Sequence, residues 1–155
     1  MDFRTHEDIK APIAYVYERI TNFQAFERQA LRHGAQVSRL DGAGPVQAGS
    51  AWDVAFTFRN KDRELRATVA ELTAPQEVVI DTEAKGLASL TQASLLALSA
   101  QTTRVEVKIS LSAKSLSARL LLQSLKLARS NLQTRFEKRV REQLRGIQAD
   151  YQKRS

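Results

Sequence analysis

The chain has 155 residues, of which 43% are hydrophobic and 26% charged, and it contains no cysteine. A chain of this size fits one domain spanning residues 1–155, and the missing cysteines exclude disulfides, thiolate metal sites and a cysteine nucleophile. The polar N-terminus argues against a secretory signal, and no apolar run reaches the length of a membrane span, so we expect a soluble cytoplasmic protein.

Positive charge is concentrated towards the C-terminus. The whole chain has a formal net charge of +7, whereas the segment from Lys114 onward contains eleven Lys or Arg and three acidic residues. The residues before Lys114 are therefore close to neutral in sum. This distribution predicts a near-neutral body that carries one strongly basic segment.

The first part of the chain predicts a strand followed by two short helices. Apolar and polar side chains alternate over residues 2–9, which is typical of a half-buried strand. Pro12 suits the first turn of a helix, and apolar residues recur at helical spacing over residues 13–20. A second short helix is predicted to follow Asn22 and to end near Gly34.

The middle of the chain predicts about six short strands. Residues 41–45 form a turn-rich segment, after which alternation is clear over residues 52–59 and clearest over residues 104–111. The links between the predicted strands are short. Short links favour an antiparallel meander over a parallel sheet.

The apolar spacing becomes helical from Ser115 to Tyr151 and predicts a long amphipathic helix. Its apolar stripe consists of Leu121, Leu125, Leu132, Phe136, Val140, Ile147 and Tyr151. Arg129 falls on the same stripe. A helix of about 35 residues would be about 50 Å long, long enough to cross a whole sheet.

This order of elements resembles the helix-grip order of the SRPBCC superfamily, which includes START lipid-transfer domains, polyketide cyclase/dehydrase-like proteins and plant pollen (Bet v-type) allergens. Residues 9–17 (IKAPIAYVY) resemble its strand-to-helix step, and residues 21–23 (TNF) resemble a segment in which Asp is common at the position of Asn22. Residues 44–50 (GPVQAGS) resemble the glycine-containing approach to the third strand, and residues 69–75 (VAELTAP) resemble the link that follows.

The resemblance implies an α+β fold in which a curved antiparallel sheet wraps around the long C-terminal helix. It also implies a cavity between sheet and helix, which family members use for apolar ligands such as lipids, quinones or polyketides. Some members catalyse reactions in that cavity, and others bind partner proteins. The fold alone does not choose among these functions.

Side chains that the strand parity and the helix stripe place towards this cavity are the candidate ligand-binding residues. They are Trp52, Phe56, Phe58, Val69, Ile80, Leu90, Gln92, Leu125, Arg129, Leu132 and Phe136. The same apolar residues would also fit a filled core. No catalytic residue, metal site or cofactor is predicted, because His6 and His33 have no acidic or histidine partners at ligand spacing.

Arg129 has two interpretations. A guanidinium on an apolar stripe must be paired or reach water, because burying an unpaired charge is costly. It could anchor the carboxylate or phosphate of an amphipathic ligand through its planar fork. Alternatively, it could form a structural ion pair with an acid such as Glu71 or extend into solvent.

The basic helix has several interpretations. Its charges could simply face solvent, or they could dock the protein on an anionic membrane surface. Leu116, Leu120 and Leu127 form a second apolar strip away from the main stripe, which supports membrane contact or a homodimer contact. The absence of interleaved aromatic residues and of a duplex-reading motif argues against nucleic acid.

The leading functional prediction is binding or transport of a hydrophobic or amphipathic small molecule between the sheet and the C-terminal helix. The alternative is an enzyme like the polyketide cyclases and dehydratases, acting more by positioning than by acid–base chemistry. A second alternative is a protein-interaction module.

Overall fold

The structure, a computed structural model, describes residues 1–154. Its elements in chain order are β1 (Asp2–Ile9), α1 (Ile13–Ile20), α2 (Phe23–Arg32), β2 (Gln36–Arg39), β3 (Ala51–Phe58), β4 (Lys61–Thr73), β5 (Glu77–Ala84), β6 (Leu87–Ser99), β7 (Thr102–Ala113), α3 (Leu116–Leu127) and α4 (Arg129–Arg154). The strands form one antiparallel sheet in the order β1-β7-β6-β5-β4-β3-β2. The predicted α+β helix-grip architecture is confirmed, with six strands between α2 and α3.

One row of directly paired residues crosses five strands and defines the two faces of the sheet. Phe3 pairs with Ile109, Ile109 with Thr91, Thr91 with Ile80, and Ile80 with Val69. Paired residues point to the same side of a sheet. We call this side the inner face, because the C-terminal helix packs there, and the opposite side the outer face.

Helix α4 runs parallel to the edge strand β1, and contacts join the two elements at successive positions along their length. The contacts in chain order are Arg129 to the Asp2 carbonyl (3.0 Å), Gln133 to the Arg4 carbonyl (3.0 Å), Arg141 to the Glu7 carboxylate (3.1 Å), and the Lys10 amide to Gln148 (2.6 Å). Nineteen residues of helix span about 28 Å and eight residues of strand about 27 Å. The two elements therefore stay in register from end to end.

The core lies at one end of the inner face, beneath α1 and the second half of α4. Its buried members are Ile9, Ala11, Val16, Tyr17, Leu95, Val105, Leu144 and Ile147. They come from three strands and two helices, together with Ala11 from the link between β1 and α1. This cluster joins the N-terminal and C-terminal parts of the chain.

The C-terminal helical segment is interrupted, whereas the sequence predicts one continuous helix. Ala128 leaves helical geometry at φ −103° and ψ 16°, so α3 and α4 are separate. α3 packs against β7 and α4 against the neighbouring strand β1. Among residues 1–154, no helix is both long and apolar enough to cross a lipid bilayer.

We predict that Leu144→Ala destabilises the fold by about 2–5 kcal/mol, because Leu144 is only 4% exposed and its truncation leaves a cavity. Leu127→Ala is the matched control, since Leu127 is 93% exposed on a helix and its truncation should change stability by about 0.5 kcal/mol or less. Urea unfolding of both variants measures the difference. Equal losses would contradict the assignment of the core.

Candidate ligand-binding groove

The inner face is only partly covered by helices. The closest helix packing falls on β1, β2, β6 and β7. Helix α2 also contacts Trp52 on β3, and the Tyr17 hydroxyl of α1 donates to the Glu77 carbonyl on β5 at 2.8 Å. Several other inner-face side chains are partly exposed, although they lie near the centre of the sheet. They are Phe56, Leu65, Ile80, Thr82, Ser89 and Thr91, and we call the surface that they form the inner-face groove. Its floor combines aromatic and aliphatic side chains with three hydroxyls.

Trp52 closes one wall of this groove by joining β3 to α2. Its indole N–H donates to a carboxylate oxygen of Glu27 at 2.6 Å, and its ring stacks on Phe23 with a centroid distance of 5.4 Å. The residue is 6% exposed, and the Arg39 guanidinium lies 5.9 Å from the ring centroid. A buried indole needs a partner for its N–H, which Glu27 supplies.

A small polar cluster fixes the chain beneath Trp52. The Nε and Nη2 groups of the Arg39 guanidinium donate to the Asp41 carboxylate at 3.0 Å and 3.1 Å, and the Ser50 hydroxyl donates to Asp41 at 2.8 Å. The hydrogen bonds from Arg39 and then from Ser50 hold the pKa of the Asp41 carboxyl well below its usual range. Arg39 is therefore neutralised by Asp41 and is not free to pair with a ligand anion.

Three hydroxyls on the groove floor have no protein partner. Thr82 and Ser89 are directly paired across β5 and β6, and Thr91 lies two residues further along the same face. Within residues 1–154 their side chains make no hydrogen bond. They are therefore available to hydrogen-bond an oxygen or nitrogen of a bound molecule.

Cationic side chains surround the open end of the groove. Phe58 lies at the tip of the β3–β4 hairpin and is 53% exposed. The guanidinium carbons of Arg59 and Arg63 lie 5.3 Å and 5.6 Å from the centre of its ring. Lys61 pairs with Phe58 on the inner face. A negatively charged group would be favoured at this end.

Comparison with known proteins identifies the architecture. No protein-family model and no curated protein matches the sequence. Protein TTHA0849 of Thermus thermophilus is 15% identical with a TM-score of 0.64, covering 97% of this chain and 99% of its own. The Zhui aromatase/cyclase of Streptomyces sp. R1128 is 10% identical with a TM-score of 0.63 (99% and 94%), and the allergen Ara h 8.0201 is 12% identical with a TM-score of 0.58 (92% and 98%).

The chain has the helix-grip fold. The predicted helix-grip fold is thereby confirmed over nearly the full chain. The fold by itself does not determine the function, which depends on the particular side chains of a site.

Five of the candidate residues lie on the inner face of the helix-grip sheet. Trp52, Phe56 and Phe58 follow one another along β3, and Val69 and Ile80 are direct partners on β4 and β5. Val69 is 1% exposed, so it belongs to the packed end of the face. Phe56 and Ile80 belong to the groove.

Leu90 and Gln92 were expected to face the helix, but the structure places both on the outer face. Leu90 pairs with Ser110 and is 42% exposed, and the Gln92 side chain donates to the Glu77 carboxylate. The prediction fails because β6 is apolar at both parities. Its sequence, LASLTQASLLALS, gives no alternation that would distinguish one face from the other.

The candidates on the helices lie around the start of α4. Leu125, Leu132 and Phe136 are partly exposed, and the Phe136 ring lies 6.1 Å from that of Phe3. Arg129 is exposed, and its guanidinium donates to the Asp2 carbonyl at 3.0 Å instead of pairing with Glu71. Its role as an anchor for a ligand stays a prediction.

Some residues of the site were not identified from sequence. The alternation of β2 and β4 would place Arg39 and Arg63 on the inner face, because each has the parity of an apolar neighbour two residues away. Glu27 carries no such signal, since its bond to Trp52 depends on how α2 packs on the sheet. In residues 1–154, no cluster of three His, Asp or Glu side chains is arranged to hold a metal ion.

We predict that Asp41→Asn destabilises the protein at neutral pH. The difference in free energy of unfolding between this variant and the wild type should become smaller in acid. A carboxyl group whose pKa is lower in the folded than in the unfolded state stabilises the fold at pH values above its unfolded pKa. This stabilisation is lost as the pH falls towards the pKa of the folded state. The difference in urea midpoint should therefore decrease between about pH 5 and about pH 2. A difference that stays constant over this range would contradict the prediction.

Proposed function

We propose that the protein binds and carries a hydrophobic or amphipathic small molecule in the inner-face groove. The observation that carries the proposal is the partial exposure of Ile80 and Thr91, two directly paired residues of the central strands, on the side where a filled core would bury them. Small-molecule sites are typically concave and mostly apolar, with a few placed polar groups. The groove has this composition.

The polarity of the groove supports an amphipathic ligand. Phe56, Leu65 and Ile80 offer apolar contact at the floor, while Thr82 and Thr91 offer unpaired hydroxyls. The open end carries the cationic side chains around Phe58. A molecule with an apolar body, an oxygen function and an acidic end would satisfy all three regions at once.

A cyclase-type enzyme is the second candidate, favoured by the three unpaired hydroxyls at one place on the floor. Groups such as Thr82, Ser89 and Thr91 could hold a flexible chain in one folded geometry, which accelerates ring closure without strong acid or base. Incubating the extracted ligand with fresh protein distinguishes the two candidates. A carrier returns the molecule unchanged, whereas a cyclase or dehydratase returns one with a new ring or with water lost.

We predict that the purified protein carries an extractable apolar molecule and, once emptied, binds anilinonaphthalene sulfonate in a saturable way. Native mass spectrometry and fluorescence titration measure these two properties. Phe56→Ser should weaken probe binding by about tenfold, because it removes a large apolar contact from the floor. A blank extract together with non-saturable fluorescence would contradict the proposal.

Two controls separate the groove from other apolar surfaces. Leu96→Ser changes a leucine that is 59% exposed on the outer face, and it should leave probe binding unchanged. The combined variant Leu116→Ser, Leu120→Ser and Leu127→Ser changes α3 and should also retain the saturable site. If either control abolished binding while Phe56→Ser did not, the probe site would lie outside the groove.

A further inference from the structure

Helix α3 lies across one end of the sheet. The Lys114 amide donates to the Gly86 carbonyl at 2.7 Å, which fixes the start of α3 beside the β5–β6 turn. The Ser115 hydroxyl caps the helix by accepting from the Ala118 amide at 3.2 Å. After α3, Arg129 binds the carbonyl of Asp2 in the edge strand. α3 therefore spans the sheet end from the β5–β6 turn to β1.

One face of α3 packs against the body, and the opposite face consists of leucine. Ala118, which is 4% exposed, marks the packed face. Leu116, Leu120 and Leu127 are 73%, 57% and 93% exposed. At 100° per residue these three side chains fall within about 40° of one another, on the side opposite Ala118. We call them the α3 leucine strip.

The charges on the segment that carries the strip all have one sign, although Lys114 at its start forms an ion pair with Glu83 at 3.4 Å. Between Lys114 and Phe136 the sequence contains five Lys or Arg and no Asp or Glu. Arg119 and Lys126 are exposed and lie on one flank of the strip. Long cationic side chains can extend from such a flank towards anionic groups while the leucines enter an apolar layer.

The same end of the molecule carries a second element of this kind. β3, β5 and β7 run in one direction, so the tip of the β3–β4 hairpin lies at the end of the sheet that α3 crosses. That tip presents the exposed Phe58 between Arg59 and Arg63. Aromatic and cationic side chains together are typical of surfaces that contact the headgroup region of a bilayer.

We propose that this end of the protein docks on an anionic lipid bilayer, with the α3 leucine strip inserted in the interface and the flanking cations against lipid phosphates. A second copy of the chain is a poorer occupant, because pairing two α3 helices would bring cations together without an acid between them. The proposal does not depend on the function of the groove, since it rests on a different surface.

Vesicle flotation tests the proposal. The full chain should bind vesicles of phosphatidylcholine with phosphatidylserine, bind weakly to phosphatidylcholine alone, and dissociate as salt is raised. Replacing Leu116, Leu120 and Leu127 by serine should weaken binding by at least about tenfold. The matched control replaces Leu90, Leu96 and Leu98, which are exposed on β6, and should bind as the wild type does.

A second readout does not require the triple variant to fold. Leu127→Trp should show quenching by lipids with brominated acyl chains, whereas Leu96→Trp should not. Absence of wild-type binding to phosphatidylserine vesicles would overturn the proposal, as would equal losses in the two triple variants. It would also be overturned if sedimentation showed a wild-type dimer that the α3 variant converts to a monomer, since the strip would then be a contact between copies.

Discussion

The parallel course of α4 along β1 is the constraint on which the rest of the structure depends. β1 is an edge strand, and its outward-pointing carbonyls at Asp2 and Arg4 would otherwise be open to another chain. Arg129 and Gln133 supply donors to these carbonyls at 3.0 Å each. Over this stretch α4 and β1 have nearly the same length. The polar contacts at the start of α4 and the apolar core at its end can therefore be made at the same time.

Placing α4 over the edge strand leaves the other side of the inner face open. A helix centred over the sheet would cover β4 and β5 and fill the space above Ile80 and Thr91. Here the apolar cluster around Val105 and Leu144 covers one end of β1 and β7, α3 packs on β7 at the other end, and the side chains of Ile80 and Thr91 between β5 and β6 stay partly exposed. The partial exposure of the side chains in the inner-face groove therefore follows from the arrangement that protects the edge.

The sequence was sufficient to predict the order of the elements and the inner parity of β3, β7 and residues 65–69 of β4, because apolar side chains recur there at every second position. It was insufficient for β6, where leucines at both parities left Leu90 and Gln92 on the wrong face. The sequence also did not predict the break at Ala128, since alanine is a common helix residue and no glycine or proline marks the end of α3. The packing of α3 and α4 on different strands determines that break, and no local pattern encodes such a choice.

The break at Ala128 also explains how one segment can serve two surfaces. Residues 116–154 as one straight helix would extend about 58 Å, roughly twice the length of β1, and the part formed by α3, about 18 Å, would project past the start of β1. Ending α3 at Leu127 keeps this part against the sheet end, where Ala118 is buried and the leucine strip still points outward. A strip retained in such a position has no role in the core, and its exposed apolar area is the observation on which the proposed contact with a lipid bilayer rests.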